Sequence, residues 1–214
     1  MFVLLSLVIV AAYLYAPLAK GLGEFTRVMY FHVPAAWVTV VAFFIGAFYS
    51  VLYLRKRNIM FDLYAEAASQ LGVIFCLLAT VTGALWAKES WGAYWNWDPR
   101  QTSIFILLLI YGAYFSLRSA VEQEETRARL SAVYSILAFV TVPFFVFIIP
   151  RIYESLHPDP LINQEAKMKM NGQMLTVFLS SLGGFTMLFF WMMHLKKSLI
   201  QISRNFEKLV NQEN

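Results

Sequence analysis

Long runs of uncharged, apolar residues dominate this chain of 214 residues, and its charged side chains gather in short clusters between the runs. Charged residues make up 14% of the chain, whereas a soluble domain of this size carries about 25%. Most runs approach the roughly 20 residues that an α-helix needs to cross a hydrocarbon core of about 30 Å. Because lipid cannot hydrogen-bond the backbone, and because the runs lack the alternating pattern of barrel strands, membrane-spanning helices are predicted.

Six such helices are predicted, which gives an all-α integral membrane protein, a helix bundle with one membrane domain over residues 1–214. The spans are predicted at residues 1–19, 33–54, 67–87, 101–117, 130–150 and 173–195. The first run could instead be a signal peptide, because residues 16–19 (Ala-Pro-Leu-Ala) resemble a cleavage site. No basic segment precedes that run, however, and it is long for the apolar part of a signal peptide, so a retained span is preferred.

The positions of Lys and Arg predict which side of the membrane each loop faces, because short cytoplasmic loops are enriched in these residues. Ten of the 17 Lys and Arg fall on one side of the six spans, where the clusters at 55–57 and 196–197 directly follow span ends. We therefore expect both termini in the cytoplasm of a bacterial cell, with the protein in its cytoplasmic (inner) membrane. The loops expected outside are 20–32, 88–100 and 151–172.

Several functional classes lack their sequence signatures in this chain. The single cysteine, Cys76, lies in the middle of a predicted span and outside any Cys-x-x-Cys-His motif, so the chain is not a c-type cytochrome. No phosphate-binding loop is present, so ATP hydrolysis by this chain is not expected. A formal net charge of +4 without a basic patch argues against nucleic-acid binding, and basic residues beside the spans suit anionic membrane lipid.

The second expected outer loop holds three of the six tryptophans of the chain, Trp91, Trp95 and Trp97, together with Tyr94. Tryptophans at a membrane interface usually form a sparse aromatic belt at the ends of spans, which is the simpler interpretation. The density here favours a flat aromatic platform instead, since indole rings stack well on a large planar ligand. A porphyrin is such a ligand, so our hypothesis is haem (haem b), bound non-covalently and transiently.

Asp98, Pro99 and Arg100 follow the tryptophans and lead into the fourth predicted span. If the segment is helical, Trp91, Trp95 and Asp98 share one face through their i, i+4 and i+7 spacing. Pro99 suits the first turn of a helix, where its missing N–H costs little, and Asp98 could cap that helix or orient a partner. Arg100 could pair with a haem propionate through two parallel hydrogen bonds.

Two of the three histidines, His32 and His157, fall in expected outer loops on either side of the tryptophan segment. A single histidine at such a place is more often an interfacial residue than a metal ligand. Together with the tryptophans, however, the pair is predicted to supply the two axial ligands of a haem iron. His194 is expected at the opposite, cytoplasmic end, where no such role is predicted for it.

Two motifs resemble those of a known family: Trp-Gly-x-x-Trp-x-Trp-Asp at 91–98 and Phe-His-Val-Pro-Ala-Ala-Trp at 31–37. They are similar to motifs of the haem-handling membrane proteins of cytochrome c maturation, which carry a tryptophan-rich (WWD) motif, and most like those of haem exporter protein C (CcmC). The resemblance extends over nearly the whole chain. It implies that His32 and His157 are axial ligands and that the haem platform consists of Trp91, Trp95, Trp97 and Asp98.

The same resemblance implies a set of partners. These are a CcmA/CcmB-like ABC ATPase and membrane subunit, a small single-span CcmD-like subunit, and a CcmE-like periplasmic haem chaperone. The expected function is to hold haem at the outer face of the membrane and to present it to the chaperone for c-type cytochrome biogenesis. The chain is then a haem transport component without catalytic residues, and the partner ATPase supplies ATP hydrolysis.

Two alternatives belong to other functional classes. The first is a direct cytochrome c haem synthetase, which would act on apocytochrome without a chaperone. The second is a b-type electron-transfer cytochrome, which would hold its haem between spans rather than at their ends. The positions of His32 and His157 next to span ends favour haem transfer over electron transfer.

Overall fold

The computed structural model describes residues 2–19, 21–157 and 170–213, and this part of the chain consists of helices and irregular connections. The elements in chain order are α1 (Phe2–Leu14), α2 (Met29–Lys56), α3 (Ile59–Trp91), α4 (Pro99–Ala120), α5 (Glu124–Pro143), α6 (Ile149–Ile152) and α7 (Gly172–Glu213). A 3₁₀-helical turn, Gly23–Val28, leads into α2, and a π-helical turn, Phe144–Ile148, joins α5 to α6. The predicted all-α class is confirmed.

Five helical stretches in the described part of the chain are long and apolar enough to cross a membrane. They are Gly23–Lys56, Ile59–Trp91, Pro99–Ala120, Glu124–Ile152 and Gly172–Phe206. The first predicted span, 1–19, corresponds to the apolar helix α1, which has only 13 residues and so reaches about 20 Å at 1.5 Å per residue. It stops short of Pro17, because a proline disfavours helical backbone in the residue before it and cannot continue the helix.

Helices α2 and α3 extend further than the predicted spans, which changes where two candidate residues lie. Because α2 begins at Met29, His32 lies in its first turn and not in a loop. Helix α3 continues to Trp91 and ends at Gly92, whose φ of 82° lies in the left-handed region that glycine adopts without strain. The outer loops predicted at 20–32 and 88–100 are therefore shorter than expected, since these helices continue past the limits of the apolar runs.

Pro34 lies inside α2 and leaves a backbone carbonyl to be satisfied by another helix. Its ring nitrogen cannot donate to the carbonyl of Tyr30, four residues earlier. The hydroxyl of Ser181 in α7 donates to that carbonyl instead, and both Tyr30 and Ser181 are fully buried. This contact fixes α7 against the start of α2, the part of α2 that carries His32.

Helix α2 packs against α3, α5 and α7, and its contact with α3 is the most extensive in the bundle. Glycines allow the close approach of these two helices. A Cβ at Gly46 would lie 2.8 Å from Oγ of Ser69, and one at Gly72 would lie 2.5 Å from Cε1 of Phe43. The tight packing fixes α2 and α3 in one register, so the side chain of His32 meets a defined part of α3.

A cluster of buried ion pairs joins four helices at the end of the bundle where α3 begins. Arg118 of α4 donates to both carboxylate oxygens of Asp62, at 2.8 and 3.0 Å, and to Glu66 at 2.7 Å. Arg204 of α7 pairs with the same two carboxylates and, at 3.4 Å, with Glu124 of α5. Arg118 directly follows the predicted span 101–117 and was therefore expected in a loop, but it is 6% exposed and lies within α4.

Candidate functional site

The segment between α3 and α4 leaves the helical conformation at Gly92 and returns to it only at Pro99. The side-chain amide of Gln101 accepts a hydrogen bond from the Asn96 N–H at 2.8 Å, which holds the irregular segment against α4. The helical face expected from the i, i+4, i+7 spacing is therefore not formed. That face would have consisted of Trp91, Trp95 and Asp98.

Asp98 caps the next helix, as its position before Pro99 predicts. Its carboxylate accepts a hydrogen bond from the Arg100 N–H at 2.9 Å, and it also accepts from the Ser155 hydroxyl at 2.8 Å and the Leu156 N–H at 2.7 Å. Although burial favours the neutral acid, these hydrogen bonds hold the pKa of Asp98 below its usual value. The ionised carboxylate thus ties the segment after α6 to the start of α4.

His157 is bound to the same carboxylate through its Nδ1, at 3.0 Å from Oδ1 of Asp98. Burial lowers the pKa of His157 to about 4, so its imidazole is neutral at pH 7. An ionised carboxylate can only accept a hydrogen bond, so the single ring proton is on Nδ1 and the lone pair of Nε2 is available. The ring packs on Trp86 and Trp91, at centroid distances of 6.1 and 4.8 Å.

His32 is held in a similar way by α3. Its Nδ1 lies 3.0 Å from Oγ1 of Thr82, whose hydroxyl donates to the Leu78 carbonyl at 2.7 Å. The Thr82 oxygen is therefore the acceptor for the Nδ1–H of His32, which again leaves Nε2 with its lone pair. The ring lies over Gly83, where a Cβ would stand 2.8 Å from Cε1 of His32.

The two histidines and Arg100 meet at one end of the bundle. Arg100, in the first turn of α4, lies close enough to both imidazoles for its positive charge to act on them. His32 also lies close enough to His157 for a proton on His32 to oppose protonation of His157. The Nε of Arg100 is buried and has no hydrogen-bond partner within the described part of the chain. The chain thus gathers two neutral imidazoles and an incompletely paired guanidinium.

The aromatic residues predicted as one platform divide into two groups. Trp91 belongs to the histidine site described above. Trp95 and Trp97 pack on each other, at a centroid distance of 5.8 Å, and Trp95 also packs on Phe105 of α4. Trp97 is 72% exposed and Tyr94 is 57% exposed, so this second group forms a surface beside the histidine site.

Comparison with known proteins identifies the family. The family model described as heme exporter protein C matches residues 1–212 of the chain. The chain belongs to the heme exporter protein C family. The earlier resemblance to this family is thereby confirmed.

Curated relatives carry the same description. The heme exporter protein C of Rhodobacter capsulatus is 30% identical over 181 residues, which cover 85% of this chain and 75% of the relative. That of Paracoccus denitrificans is 28% identical over 90% of this chain and 80% of its own length. A putative cytochrome c biosynthesis ccmC-like mitochondrial protein of Marchantia polymorpha is 33% identical over 66% of this chain, and the matched part spans only 59% of that relative.

The residues at this end of the bundle fit haem, the cargo that the family's name implies. A bare metal ion needs more protein ligands, and no group of three or more His, Cys, Asp or Glu side chains that could hold one occurs in residues 2–19, 21–157 and 170–213. Iron in a porphyrin needs only two axial ligands, and two imidazoles with available Nε2 atoms are present. The buried, unpartnered Nε of Arg100 suits a carboxylate such as a propionate.

Four contributors to this site are absent from the sequence-based prediction: Thr82, Gly83, Trp86 and Ser155. Trp86 was not among the predicted site residues, yet its ring packs on His157. Its spacing of four residues from Thr82 on α3 places both on one helix face, and that spacing is a usable signal. Ser155 carries no comparable signal, because its role depends on a contact with Asp98, 57 residues away.

Proposed function

We propose that this chain holds haem at the end of the bundle where α3 ends and α4 begins, and that it transfers this haem to a protein acceptor during cytochrome c maturation. The observation that carries the proposal is the pair of neutral imidazoles, His32 and His157, each with Nδ1 occupied and Nε2 available. Haem iron takes axial ligands of this kind. Membership of the heme exporter protein C family supports the same cargo.

The surrounding residues have distinct roles in this proposal. Arg100 pairs with a propionate, and Trp91 contacts the porphyrin beside His157. Asp98 orients the imidazole of His157 and does not touch the iron. The aromatic surface beside the site, formed by the exposed Tyr94 and Trp97 with the half-buried Trp95, is where an acceptor protein can dock.

The site faces the outside of a bacterial cytoplasmic membrane in this proposal, and both chain termini lie in the cytoplasm. The basic clusters at 55–57 and 196–197 support this orientation, because both lie at the opposite end of the bundle from the histidines. Labelling of Arg57→Cys and Lys88→Cys variants from each side of the membrane tests it. Lys88→Cys accessible only from the cytoplasm contradicts the orientation.

The partners follow from the same proposal. A CcmE-like periplasmic haem chaperone is the acceptor, and a CcmA/CcmB-like ABC transporter with a small CcmD-like subunit completes the assembly. ATP hydrolysis belongs to the ATPase partner, and this chain makes no covalent bond to its cargo. Non-covalent binding through two imidazoles suits a donor, since both ligands can be exchanged without breaking the porphyrin.

The positions of the ligands argue against an electron carrier of the b type. Such a protein holds haem between its spans, whereas His32 lies in the first turn of α2 and His157 lies beyond the end of α6. Both therefore lie at the end of the bundle, where an acceptor protein can reach the cargo. A direct cytochrome c synthetase is distinguished by haem attachment to apocytochrome in the absence of a chaperone.

The test is the visible absorption spectrum of the purified, detergent-solubilised chain after addition of haem. We expect a Soret band typical of haem with two histidine ligands, weakened in His32→Ala and in His157→Ala. His194→Ala is the matched control, because His194 lies in the part of α7 that runs to the other end of the bundle. Loss of the band in His194→Ala, with both other variants unaffected, overturns the proposed site.

A further inference from the structure

The two imidazoles of the site are held by acceptors of different strength. Nδ1 of His157 meets an ionised carboxylate, whereas Nδ1 of His32 meets the hydroxyl oxygen of Thr82, both at 3.0 Å. The two hydrogen bonds have the same length, so they differ in the charge of the acceptor. Hydrogen bonds to an ionised acceptor are about twice as strong as those between neutral groups.

The acceptor at Nδ1 changes how well Nε2 binds a metal. A carboxylate draws the Nδ1 proton toward itself and so increases the electron density that Nε2 can donate. The Thr82 oxygen does this much less, because it is neutral. Nε2 of His157 is consequently the stronger donor of the two.

The carboxylate that holds His157 also belongs to a larger hydrogen-bond network. Asp98 holds three consecutive residues of the segment after α6 at once, through Ser155 Oγ, Leu156 N and His157 Nδ1. This carboxylate is 3% exposed and at the same time caps α4. The ring of His32 meets only neutral groups of α3, the Thr82 hydroxyl and the Ala79 backbone carbonyl, and it rests on the small surface of Gly83. Moving the His32 ring away from the iron therefore breaks contacts with neutral groups only, whereas moving the His157 ring breaks its pair with a carboxylate that also caps α4.

We propose that His157 is the ligand that stays on the iron and that His32 is the ligand that an acceptor protein displaces. This inference rests on the proposed function. In the exchange, the bond between iron and Nε2 of His32 breaks as a bond from a donor atom of the acceptor forms, and the oxidation state of the iron does not change. Asp98 and Thr82 are positioning residues that set this order.

The test compares Asp98→Asn with Thr82→Val in the haem-loaded chain. Asparagine can still cap α4, but it is uncharged, so Nε2 of His157 becomes a weaker donor. We expect haem affinity to fall about 10- to 100-fold in Asp98→Asn, as for other supports of metal ligands, and less than about tenfold in Thr82→Val. The iron midpoint potential should rise clearly in Asp98→Asn, because weaker donation stabilises the ferric form less, and should change little in Thr82→Val.

Ser155→Ala is the comparison for a purely structural effect, because it removes the hydroxyl that holds Asp98 and the His157 backbone but keeps the carboxylate at Nδ1 of His157. Its midpoint potential should shift much less than that of Asp98→Asn, whereas a merely structural role of Asp98 predicts a similar change in both variants. His32→Ala should keep more haem than His157→Ala and should bind added imidazole in the vacated position. Equal potentials in Asp98→Asn and Thr82→Val, with haem lost in both histidine variants, overturn only the ligand order. Unchanged haem content in both histidine variants overturns the proposed function as well.

Discussion

Gly83 gives the most direct test of how α3 supports the site. A Cβ at this position would lie 2.8 Å from Cε1 of His32. Carbon atoms in favourable contact are about 3.5–4.0 Å apart, so in Gly83→Ala the ring must move by at least about 0.7 Å. The contact is with the far end of a side chain, so His32 can turn away and the backbone can stay in place. We expect the substitution to disturb the ligand without unfolding the bundle.

The size of the effect follows from what the ring loses. A shift of this extent breaks the hydrogen bond between His32 and Thr82, which is 3.0 Å long. Such a bond contributes about 0.5–1.5 kcal/mol, which corresponds to about a 2- to 13-fold loss of haem affinity. The same substitution favours the helix by about 0.8–1.0 kcal/mol, because glycine is a poor helix former. The broken hydrogen bond offsets this gain in the haem-free chain, so haem affinity should fall while thermal stability changes little.

The assay combines haem titration, followed by Soret absorbance, with thermal unfolding of the haem-free chain in detergent. Gly112→Ala is the matched control, because no atom lies within 4 Å of a Cβ at this position in α4. It should stabilise the chain by the full helix gain of about 0.8–1.0 kcal/mol and leave haem affinity unchanged. An unchanged affinity in Gly83→Ala, or the same loss in Gly112→Ala, refutes the contact between His32 and α3.

Three further predictions concern other parts of the chain. Arg118→Met leaves the buried carboxylate of Asp62 and the half-buried one of Glu66 with one remaining arginine, and it should lower the free energy of unfolding by about 3 kcal/mol, measured by denaturation in detergent. Trp86→Ala should weaken haem binding by about 0.5–1.5 kcal/mol. Trp97→Ala should retain haem but slow its transfer to a purified chaperone. Transfer at the normal rate in Trp97→Ala would show that this ring is part of a simple interfacial belt. The pKa of His157 is about 4 in the folded chain and about 6.5 in the unfolded chain. The free energy of unfolding of the haem-free chain should therefore decrease as the pH falls from about 6.5 to 4. In His157→Gln, this part of the pH dependence should be absent.

Hydropathy and charge were sufficient to predict the class of fold. They also predicted that His32, the tryptophan segment and His157 lie at the same end of the bundle. They misplaced the ends of helices, because the hydropathy of a run stops at its first charges while helical hydrogen bonding continues. His32 shows the consequence: it was assigned to a loop, but it lies in the first turn of α2. The helix bound matters, since the packing of α2 on α3 is what brings His32 to Thr82.

The sequence predicted the capping role of Asp98 because capping is local, and the structure confirms it. It also suggested that Asp98 orients a partner, but it could not name that partner. His157 lies 59 residues further along the chain, and the two meet only because the segment after α6 folds back onto α4. Arg118 is a second case of a contact between residues far apart in the chain. Its charge predicted a loop position, and only the packed structure shows that it pairs with Asp62.

Helix α3 connects the two ends of the molecule and explains how the site can be both well positioned and open. Near its start, Asp62 and Glu66 are held by arginines from α4 and α7, so this end cannot rotate without breaking buried ion pairs. Near its other end, Thr82 and Gly83 meet His32. Because a helix is stiff along its axis, fixing the rotation at the first end also fixes which side chains face His32 at the second. The ion pairs therefore help to set which side chains of α3 face His32, while the segment after Trp91 is not helical and exposes Tyr94 and Trp97, the surface on which we propose that an acceptor docks.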